Sequence, residues 1–400
     1  MSLDAARADE TRDVDARRTN AIPSCPETPA FIIDERSIVE RLALVDRVKR
    51  ECGCKFLYTM KPLADASVMR LMASHVDGFA AASLFEARLA RDVLGDRGTV
   101  HMTTPGFRPG DIGDLAALCD YMSLNSLSQL DRFGPLLCPE TRLGLRVNPS
   151  LSFADDERYD PCRPASKLGV PLADLIEAAA SRDLLQAGVS GLHVHNNCDS
   201  TTFDPLKTTV ERLMTALPNL LRRVEWVNLG GGYLFGPAED LPPFYEAVDL
   251  IRDAYGVEVF VEPGAALVRE AGYLVSSVID LFESGDATVA VLDTTVNHMP
   301  EVYEYGFEPD VLGHEDDAEF CYTLAGASCL AGDVFGEYEF AEPLEIGSRV
   351  LFYNVGAYTM VKAHMFNGIN LPTLYRISPL GELLLAKRFT FTDFLNRIGE

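Results

Sequence analysis

The sequence is short of basic residues. Its 35 lysines and arginines stand against 60 aspartates and glutamates, so the formal net charge is −25 at pH 7. Nucleic acids and anionic membranes are bound through basic surfaces, and the charge therefore argues against both as partners. It is compatible with a cationic small-molecule substrate, although a charge of this size serves mainly to keep a protein soluble.

Long apolar runs are also missing. We find no stretch of about twenty apolar residues that could cross a bilayer. The first residues, MSLDAARADETRDVDARRTN, carry charges of both signs and lack the apolar centre of a signal peptide. We therefore expect residues 1–24 to form a disordered leader and the protein to be cytoplasmic.

Cysteines spaced for metal binding are lacking as well. There are nine cysteines at irregular intervals, and Cys52-Gly-Cys54 is too tight for the usual zinc pair. No second pair follows at zinc-site spacing. The sequence predicts reduced thiols and no metal site of its own.

What the sequence does contain is a regular alternation of strand-like and helical segments over residues 36–275. In the first helical segment, the apolar residues Ile38, Leu42, Val45 and Val48 recur at helical spacing. Strand-like runs such as CKFLYTMK, RLGLRVNP, VSGLHVHNN and VEVFVEPG follow, each separated from the next by a helical stretch. Eight or so strand–helix units predict a closed parallel (β/α)8 barrel.

The pattern changes after about residue 272. YLVSSVIDLFESG, ATVAVLDTT, EFCYTLAGASC and SRVLFYNVGAYT are typical of strands joined by glycine and proline turns. They predict a second, β-rich domain over residues 276–400. The isolated strand-like segment TPAFIIDE assigns residues 25–35 to the same domain.

Lys61 lies in YTMKP, at the end of a predicted barrel strand. Barrel enzymes carry their reactive groups at that end of the strands. A lysine there can form an imine if burial lowers the pKa of its ammonium group. A lysine that merely extends into solvent from a strand end is the commoner case.

His193 and His195 lie two residues apart in GLHVHNNCDS, so both face the same side of a strand. Such a pair can bind zinc, as in barrel hydrolases. Alternatively, one imidazole can stack on an aromatic cofactor. Two hydrogen-bonded core histidines are at least as common as either.

Two further motifs end predicted strands. Three consecutive glycines, Gly230 to Gly232, follow a strand in VNLGGGY, and the amides of such a turn can bind an anion. Glu262 in VEPG ends another strand, where a carboxylate could keep a pyridine nitrogen protonated. Taken alone, either motif can be an ordinary turn.

Several segments together resemble one enzyme family. They are SLFEARLARDVLG, NSLSQLDRF, LRVNPSLSF, YDPCRPASKLGV, GLHVHNNCDS, NLGGGY, LDTTVNHMPEVYE, GASCLAGDVFGEYEFAEPL and YTMVKAHMFNGI. They are similar to decarboxylases with an alanine-racemase-like barrel, such as ornithine and diaminopimelate decarboxylases, and more narrowly to the carboxynorspermidine/carboxyspermidine decarboxylase family. The resemblance runs from roughly residue 30 to 375. It implies pyridoxal 5′-phosphate as the cofactor and an amino acid with distal amines as the substrate.

The resemblance assigns most of the candidate residues to the cofactor. Lys61 resembles the lysine that binds the cofactor aldehyde as a Schiff base, and Glu262 the acid at its pyridine nitrogen. His195 resembles the histidine stacked on the ring, and Arg146 the arginine behind it. The residues implied to contact the phosphate are Gly230, Gly231, Gly232 and Tyr358.

The resemblance also assigns roles in the reaction. Cys329 is similar to the cysteine that reaches the neighbouring subunit's site and protonates the substrate carbon after carbon dioxide leaves, which implies a homodimer with shared active sites. Glu86 resembles a residue near the cofactor. The predicted substrate-binding residues are Asp293, His298, Glu301 and Asp333, with Glu304 and Glu308 in the same acidic run. A solvated acidic face is an equally good interpretation of that run.

Three departures from the family pattern leave the substrate open. Ala265 stands where the ornithine branch has an arginine, and Cys198 where a serine is expected. Gly306 and Glu308 stand where the closer family tends to have proline and arginine. The resemblance therefore implies carboxynorspermidine, carboxyspermidine or a related amino acid as the substrate, with a diaminopimelate-like or specialised intermediate as the alternative.

Two other functions compete with decarboxylation. A metal-dependent barrel hydrolase would use His193 and His195 as ligands, but its paired histidines normally lie on the first strand, and later barrel strands here carry no histidine. A non-catalytic member of the fold would bind partners or store cofactor. Such proteins often lose the catalytic cysteine, whereas Lys61 and Cys329 are both present.

Overall fold

The computed structural model describes residues 25–138, 140–154, 156–235 and 241–399. The predicted leader, residues 1–24, lies outside the described residues. The chain divides into two compact units, one formed by Arg41–Leu267 and the other by the segments before and after it. Among the helices of the described part, none is long and apolar enough to span a membrane.

The first unit is built on a sheet of nine parallel strands, eight of which close into a barrel. Numbered in chain order through both units, the barrel strands are β2 Lys55–Thr59, β3 Gly78–Ala81, β4 Thr99–Thr103, β5 Tyr121–Leu124, β6 Arg142–Asn148, β8 Val189–Val194, β9 Trp226–Asn228 and β10 Glu258–Val261. Their order is β5-β4-β3-β2-β10-β9-β8-β6, and pairing of β5 with β6 closes the ring. The short strand β7, Val170–Pro171, pairs with the carboxyl end of β6. The predicted (β/α)8 barrel is confirmed.

Helices alternate with these strands along the chain. Ile38, Leu42, Val45 and Val48 of the first helix are all buried, as their spacing predicts. Serine and aspartate side chains cap several helix starts by accepting backbone amides, among them Asp65, Ser83 and Ser126. The helices are Glu35–Cys52, Ala66–Met72, Leu84–Leu94, Ile112–Leu118, Leu127–Phe133, Leu172–Ser181, Asp204–Ala216, Pro218–Leu221, Pro242–Tyr255 and Ala265–Val268.

Aromatic side chains fill the inside of the barrel. Trp226, Tyr121 and Phe260 are buried together there with two smaller apolar residues. Gly144 and Gly191 make room for Trp226, since a Cβ at either position would come within 2.4 Å and 2.0 Å of the indole ring. The barrel is therefore a packed core, and ligands must bind at its ends.

The second unit is built on an eight-stranded sheet in the order β14-β13-β12-β11-β1-β16-β17, with β15 paired to β11. Its strands are β1 Ala30–Asp34, β11 Gly272–Ser284, β12 Ala287–Leu292, β13 Phe320–Ala325, β14 Val334–Phe340, β15 Arg349–Phe352, β16 Thr373–Ile377 and β17 Leu383–Lys387. Strand β1, from the segment TPAFIIDE, lies between β11 and β16. This unit also contains two short helices, Glu301–Tyr305 and Phe391–Ile398.

Candidate active site

Four motifs of the barrel unit meet at one end of the barrel. Lys61 follows β2, and Glu262 follows β10 directly. His195 follows β8, and the glycine run follows β9. Because the strands are parallel, their carboxyl ends lie on the same side of the barrel. The structure thus brings together the residues that the sequence placed at separate strand ends.

Lys61 is a recessed amine. Its side chain is accessible to solvent, yet the surrounding protein desolvates the ammonium group and lowers its pKa, and the nearby Arg146 acts in the same direction. Cys198 and Glu262 oppose this shift without cancelling it. A lysine of lowered pKa keeps more of its amine unprotonated, and the unprotonated amine is the form that attacks an aldehyde.

Glu262 is a buried, ionised carboxylate. Its side chain is 8% exposed, and Asn228 Nδ2 donates a hydrogen bond of 2.7 Å to Oε1. His193 Nε2 lies 3.3 Å from Oε2. Burial works to raise the pKa of Glu262, but the interaction with His193, supported by His195 and His101, outweighs it and lowers the pKa to about 2. The barrel end therefore holds a fixed negative charge at neutral pH.

His195 is held as a neutral imidazole. The amide of Gly231 donates to Nδ1 over 3.0 Å, so Nδ1 is an acceptor and the ring proton lies on Nε2. Burial, together with the charges of Lys61 and Arg146, keeps the pKa of His195 well below its ordinary value. A neutral imidazole offers a flat face on which another aromatic ring can stack.

Arg146 places a buried positive charge beside His195. It is 8% exposed, and its Nη2 donates to the carbonyl oxygen of His195 over 3.3 Å. Burial lowers the pKa of the guanidinium, yet arginine keeps its charge in proteins. The predicted neighbourhood of His195 and Arg146 is thus present in the structure.

Close backbone contacts require glycine at two positions of the run, whether or not a ligand binds there. A Cβ at Gly230 would lie 2.3 Å from the carbonyl oxygen of Val194, and one at Gly231 would lie 2.2 Å from that of Glu262. The amide of Gly230 donates to Asn228 Oδ1 and that of Gly231 to His195 Nδ1. Two of the three amides predicted to bind phosphate are therefore already engaged within the protein.

Sequence reasoning missed the partners that surround Glu262. His193 was expected to be a metal ligand or an ordinary core histidine, and Asn228 drew no attention. The position of Asn228 at the end of β9, directly before the glycine run, was an available signal. Glu86 caps its own helix start, where its side chain accepts the Ala82 amide over 2.7 Å.

A metal site finds no support in the described ranges. Within them, no group of three or more histidine, cysteine, aspartate and glutamate side chains is arranged to hold a metal ion. A catalytic zinc needs about three protein ligands. His193 instead contacts Glu262, and His195 contacts the glycine run.

In the second unit, Cys329 is exposed on a loop that is tied down on both sides. Its amide donates to Asn367 Oδ1 over 2.9 Å. The neighbouring Ser328 amide donates to Asp333 Oδ2 over 2.9 Å. Asp333 is only 3% exposed and also accepts from Thr295 Oγ1 at 2.8 Å and the Val296 amide at 2.7 Å. These contacts support a role for Asp333 in shaping the loop.

The other predicted substrate residues are also engaged within this unit. Asp293 accepts hydrogen bonds from Thr28 Oγ1 and Ser276 Oγ, both at 2.6 Å. His298 is fully buried, with Nδ1 at 2.9 Å from Thr294 Oγ1, and burial lowers its pKa to about 4.

Glu301 forms an ion pair with Lys362 over 3.4 Å, and Lys362 also pairs with Glu304. Tyr358 has the positive φ of 62°, an uncommon backbone conformation for a tyrosine.

The barrel end matches the chemistry of pyridoxal phosphate group by group. The recessed amine suits an aldehyde, the ionised carboxylate suits a protonated pyridine nitrogen, and the neutral imidazole suits the face of the ring. The family model described as "Pyridoxal-dependent decarboxylase, C-terminal sheet domain" matches residues 30–356. The chain belongs to the pyridoxal-dependent decarboxylases. It is a lyase that uses pyridoxal phosphate, as the motifs predicted.

Similar proteins agree with this assignment. This decarboxylase is 32% identical over 374 residues to the carboxynorspermidine/carboxyspermidine decarboxylase of Herminiimonas arsenicoxydans, which covers 93% of this chain and 99% of that protein. It is 32% identical over 388 residues to the carboxyaminopropylagmatine decarboxylase of Synechocystis sp., covering 96% and 97%.

Among solved structures, the carboxynorspermidine decarboxylase of Campylobacter jejuni complexed with norspermidine superimposes with a TM-score of 0.84 and 31% identity, covering 93% and 100%. The family resemblance of the motifs is confirmed.

Proposed function

We propose that this decarboxylase removes the α-carboxylate of a carboxylated polyamine, carboxynorspermidine or carboxyspermidine. The identity of about a third, over nearly the full length of relatives that bear those names, supports this substrate class. The observation that carries the chemistry is that Lys61, an amine with a lowered pKa, and Glu262, an ionised carboxylate, lie at the same end of the barrel. Diaminopimelate decarboxylases are more distant, at 23% to 26% identity.

Lys61 would hold the cofactor through its ε-amino group, the position for which the amine of the substrate would compete. When bound, pyridoxal phosphate supplies a conjugated ring that accepts the electron pair of the broken carbon–carbon bond. The lowered pKa of Lys61 suits this role, because the unprotonated amine is the nucleophilic form.

Glu262 holds a proton at the pyridine nitrogen. An ionised carboxylate beside that nitrogen favours its protonated, positively charged form, and the positive charge makes the ring a stronger acceptor of electrons. The hydrogen bond from Asn228 holds the carboxylate in place for this role.

His195 and Arg146 orient the ring. The neutral imidazole of His195 would cover one face of the ring, and the hydrogen bond from the Gly231 amide holds the imidazole in place. Burial, together with the charges of Lys61 and Arg146, keeps the pKa of His195 low and its imidazole neutral. Gly232, the third glycine of the run, would contact the phosphate.

Cys329 returns a proton to the substrate carbon after carbon dioxide has left, and it does so from the neighbouring subunit of a homodimer. Its exposure and the tethered loop support this role, since a proton donor must be both reachable and held in position. Glu301 contacts a distal ammonium group of the substrate. The substrate ammonium would take the place of Lys362, the present ion-pair partner of Glu301.

Carbon dioxide release from a panel of amino acids tests the proposal. The holoenzyme is incubated with carboxynorspermidine, carboxyspermidine, carboxyaminopropylagmatine, diaminopimelate and ornithine, and Lys61→Ala serves as the control for release outside the site. We expect a carboxylated polyamine to exceed diaminopimelate in kcat/KM by about 100-fold or more. A preference for diaminopimelate or ornithine would overturn the substrate assignment. A preference for carboxyaminopropylagmatine would show that the substrate carries a guanidinium group where we propose a distal ammonium group.

A further inference from the structure

His193 is a buried histidine that the proposed chemistry does not use. It is 2% exposed, and its Nε2 lies 3.3 Å from Glu262 Oε2. Its other nitrogen, Nδ1, is buried and has no hydrogen-bond partner within the described ranges. The contact with Glu262 is therefore the one polar interaction that fixes the imidazole in this part of the chain.

Glu262 is held from two neighbouring strands at once. His193 on β8 approaches one carboxylate oxygen, and Asn228 at the end of β9 donates to the other. Asn228 Oδ1 in turn accepts the amide of Gly230. A buried carboxylate without donors would take up a proton, because desolvation disfavours the charged form.

We infer that His193 is a positioning residue for the cofactor: its Nε2–H donates to Glu262 and keeps that carboxylate charged and turned toward the pyridine nitrogen. His193 thus acts through Glu262 and does not touch the ring. Of the two donors, His193 is the one whose other polar atom serves no second partner in the described structure. Asn228 also supports the glycine run, so its loss would have a second effect.

Several other charged and titratable groups face this pair and enter the same balance. His195 and His101 interact electrostatically with Glu262. Glu262 in turn acts to raise the pKa of Lys61 and of Arg146. More distant charges that act on His101 are Lys55 and Arg142. The pH dependence of cofactor affinity must therefore be compared between variants that differ only at His193.

The inference rests on the proposed role of Glu262 and is independent of the substrate. It predicts that removal of the donor weakens cofactor binding more at low pH than at high pH. Without the donor, Glu262 becomes protonated at a higher pH, and a neutral carboxyl group no longer favours the protonated ring nitrogen. A merely structural role of His193 would instead lower cofactor affinity equally at every pH.

The test compares His193→Leu, which removes the donor, with His193→Gln, whose amide can still donate. Pyridoxal phosphate is titrated into each apoenzyme at several pH values between about 5 and 8, and binding is followed by absorbance. We expect His193→Leu to bind at least about tenfold more weakly at the acid end, as a lost hydrogen bond to a charged group predicts. His193→Gln should recover most of that loss. Thermal melting of both variants checks the fold, and His193→Met replaces the leucine variant if that one does not melt cooperatively.

The same substitutions in a Glu262→Gln background separate the possible outcomes. If His193 acts through Glu262, the leucine and glutamine variants should bind the cofactor equally in that background. A loss that persists there, or a leucine variant that binds like the wild type, would overturn the inference. If Glu262→Gln alone changes neither affinity nor pH dependence, the proposed role of Glu262 fails instead.

Discussion

Asn228 links Glu262 to the glycine run through a single side chain. Its Nδ2 donates to Glu262 Oε1 over 2.7 Å, and its Oδ1 accepts the amide of Gly230 over 2.9 Å. The carboxylate proposed for the pyridine nitrogen and the turn proposed for the phosphate are therefore fixed relative to each other. A rigid ligand can therefore contact the carboxylate with one end and the glycine turn with the other.

Asn228→Ala should destabilise the apoenzyme. The substitution leaves a buried carboxylate and a buried amide each without one hydrogen bond, a loss of about 3 kcal/mol in the free energy of unfolding. Urea denaturation measures the loss. Asn219→Ala, at an exposed position, is the control and should change stability by less than about 0.5 kcal/mol. Equal effects of the two substitutions would show that the link does not matter for stability.

His101 should make the stability of the barrel depend on pH. Its ring stacks on Tyr121 with centroids 4.1 Å apart, and burial lowers its pKa to about 3. The unfolded state takes up the proton near pH 6.5, well above the folded state. The contribution of His101 to the free energy of unfolding is therefore fully present above about pH 6.5. It is lost as the pH drops toward about 3, by up to about 1.4 kcal/mol per pH unit.

His101→Phe should flatten this dependence, because phenylalanine can stack on Tyr121 but takes up no proton. Urea midpoints at several pH values compare the variant with the wild type. An unchanged slope would mean that other groups dominate the acid sensitivity.

Cys329→Ala should separate cofactor binding from turnover. The variant keeps the visible absorbance of the bound cofactor, since Cys329 has no part in holding it. The rate of amine formation falls by about 100-fold or more, the usual contribution of a positioned proton donor. Cys321→Ala, at another exposed cysteine of the same unit, should retain full activity. Full activity of Cys329→Ala would remove the residue from the mechanism.

The barrel could be predicted from the sequence because its signals are local. Apolar residues at helical spacing, such as Ile38 and Leu42, proved to be buried. Lys61 and Glu262 were found as candidates because each lies within two residues of the end of a strand. The helix Phe391–Ile398 was missed, although the capping pattern of Thr390 and Asp393 was legible in the sequence. Strand β14 was missed because its residues were weighed only as part of a motif.

The pairing of His193 with Glu262 could not have been predicted in the same way. The two residues lie 69 positions apart and on strands separated by β9. Their contact depends on the closure and register of the barrel, which no local pattern specifies. The same limit applies to Asp293 and Asp333, whose carboxylates are engaged by groups far away in the sequence.

Borohydride reduction of the holoenzyme, followed by peptide mapping, tests the central claim most directly. Reduction converts the link between the cofactor and its lysine into a stable bond that survives proteolysis. We expect the label on the peptide that contains Lys61, and no label in Lys61→Ala. A label on another lysine, or none in the wild-type protein, would contradict the account.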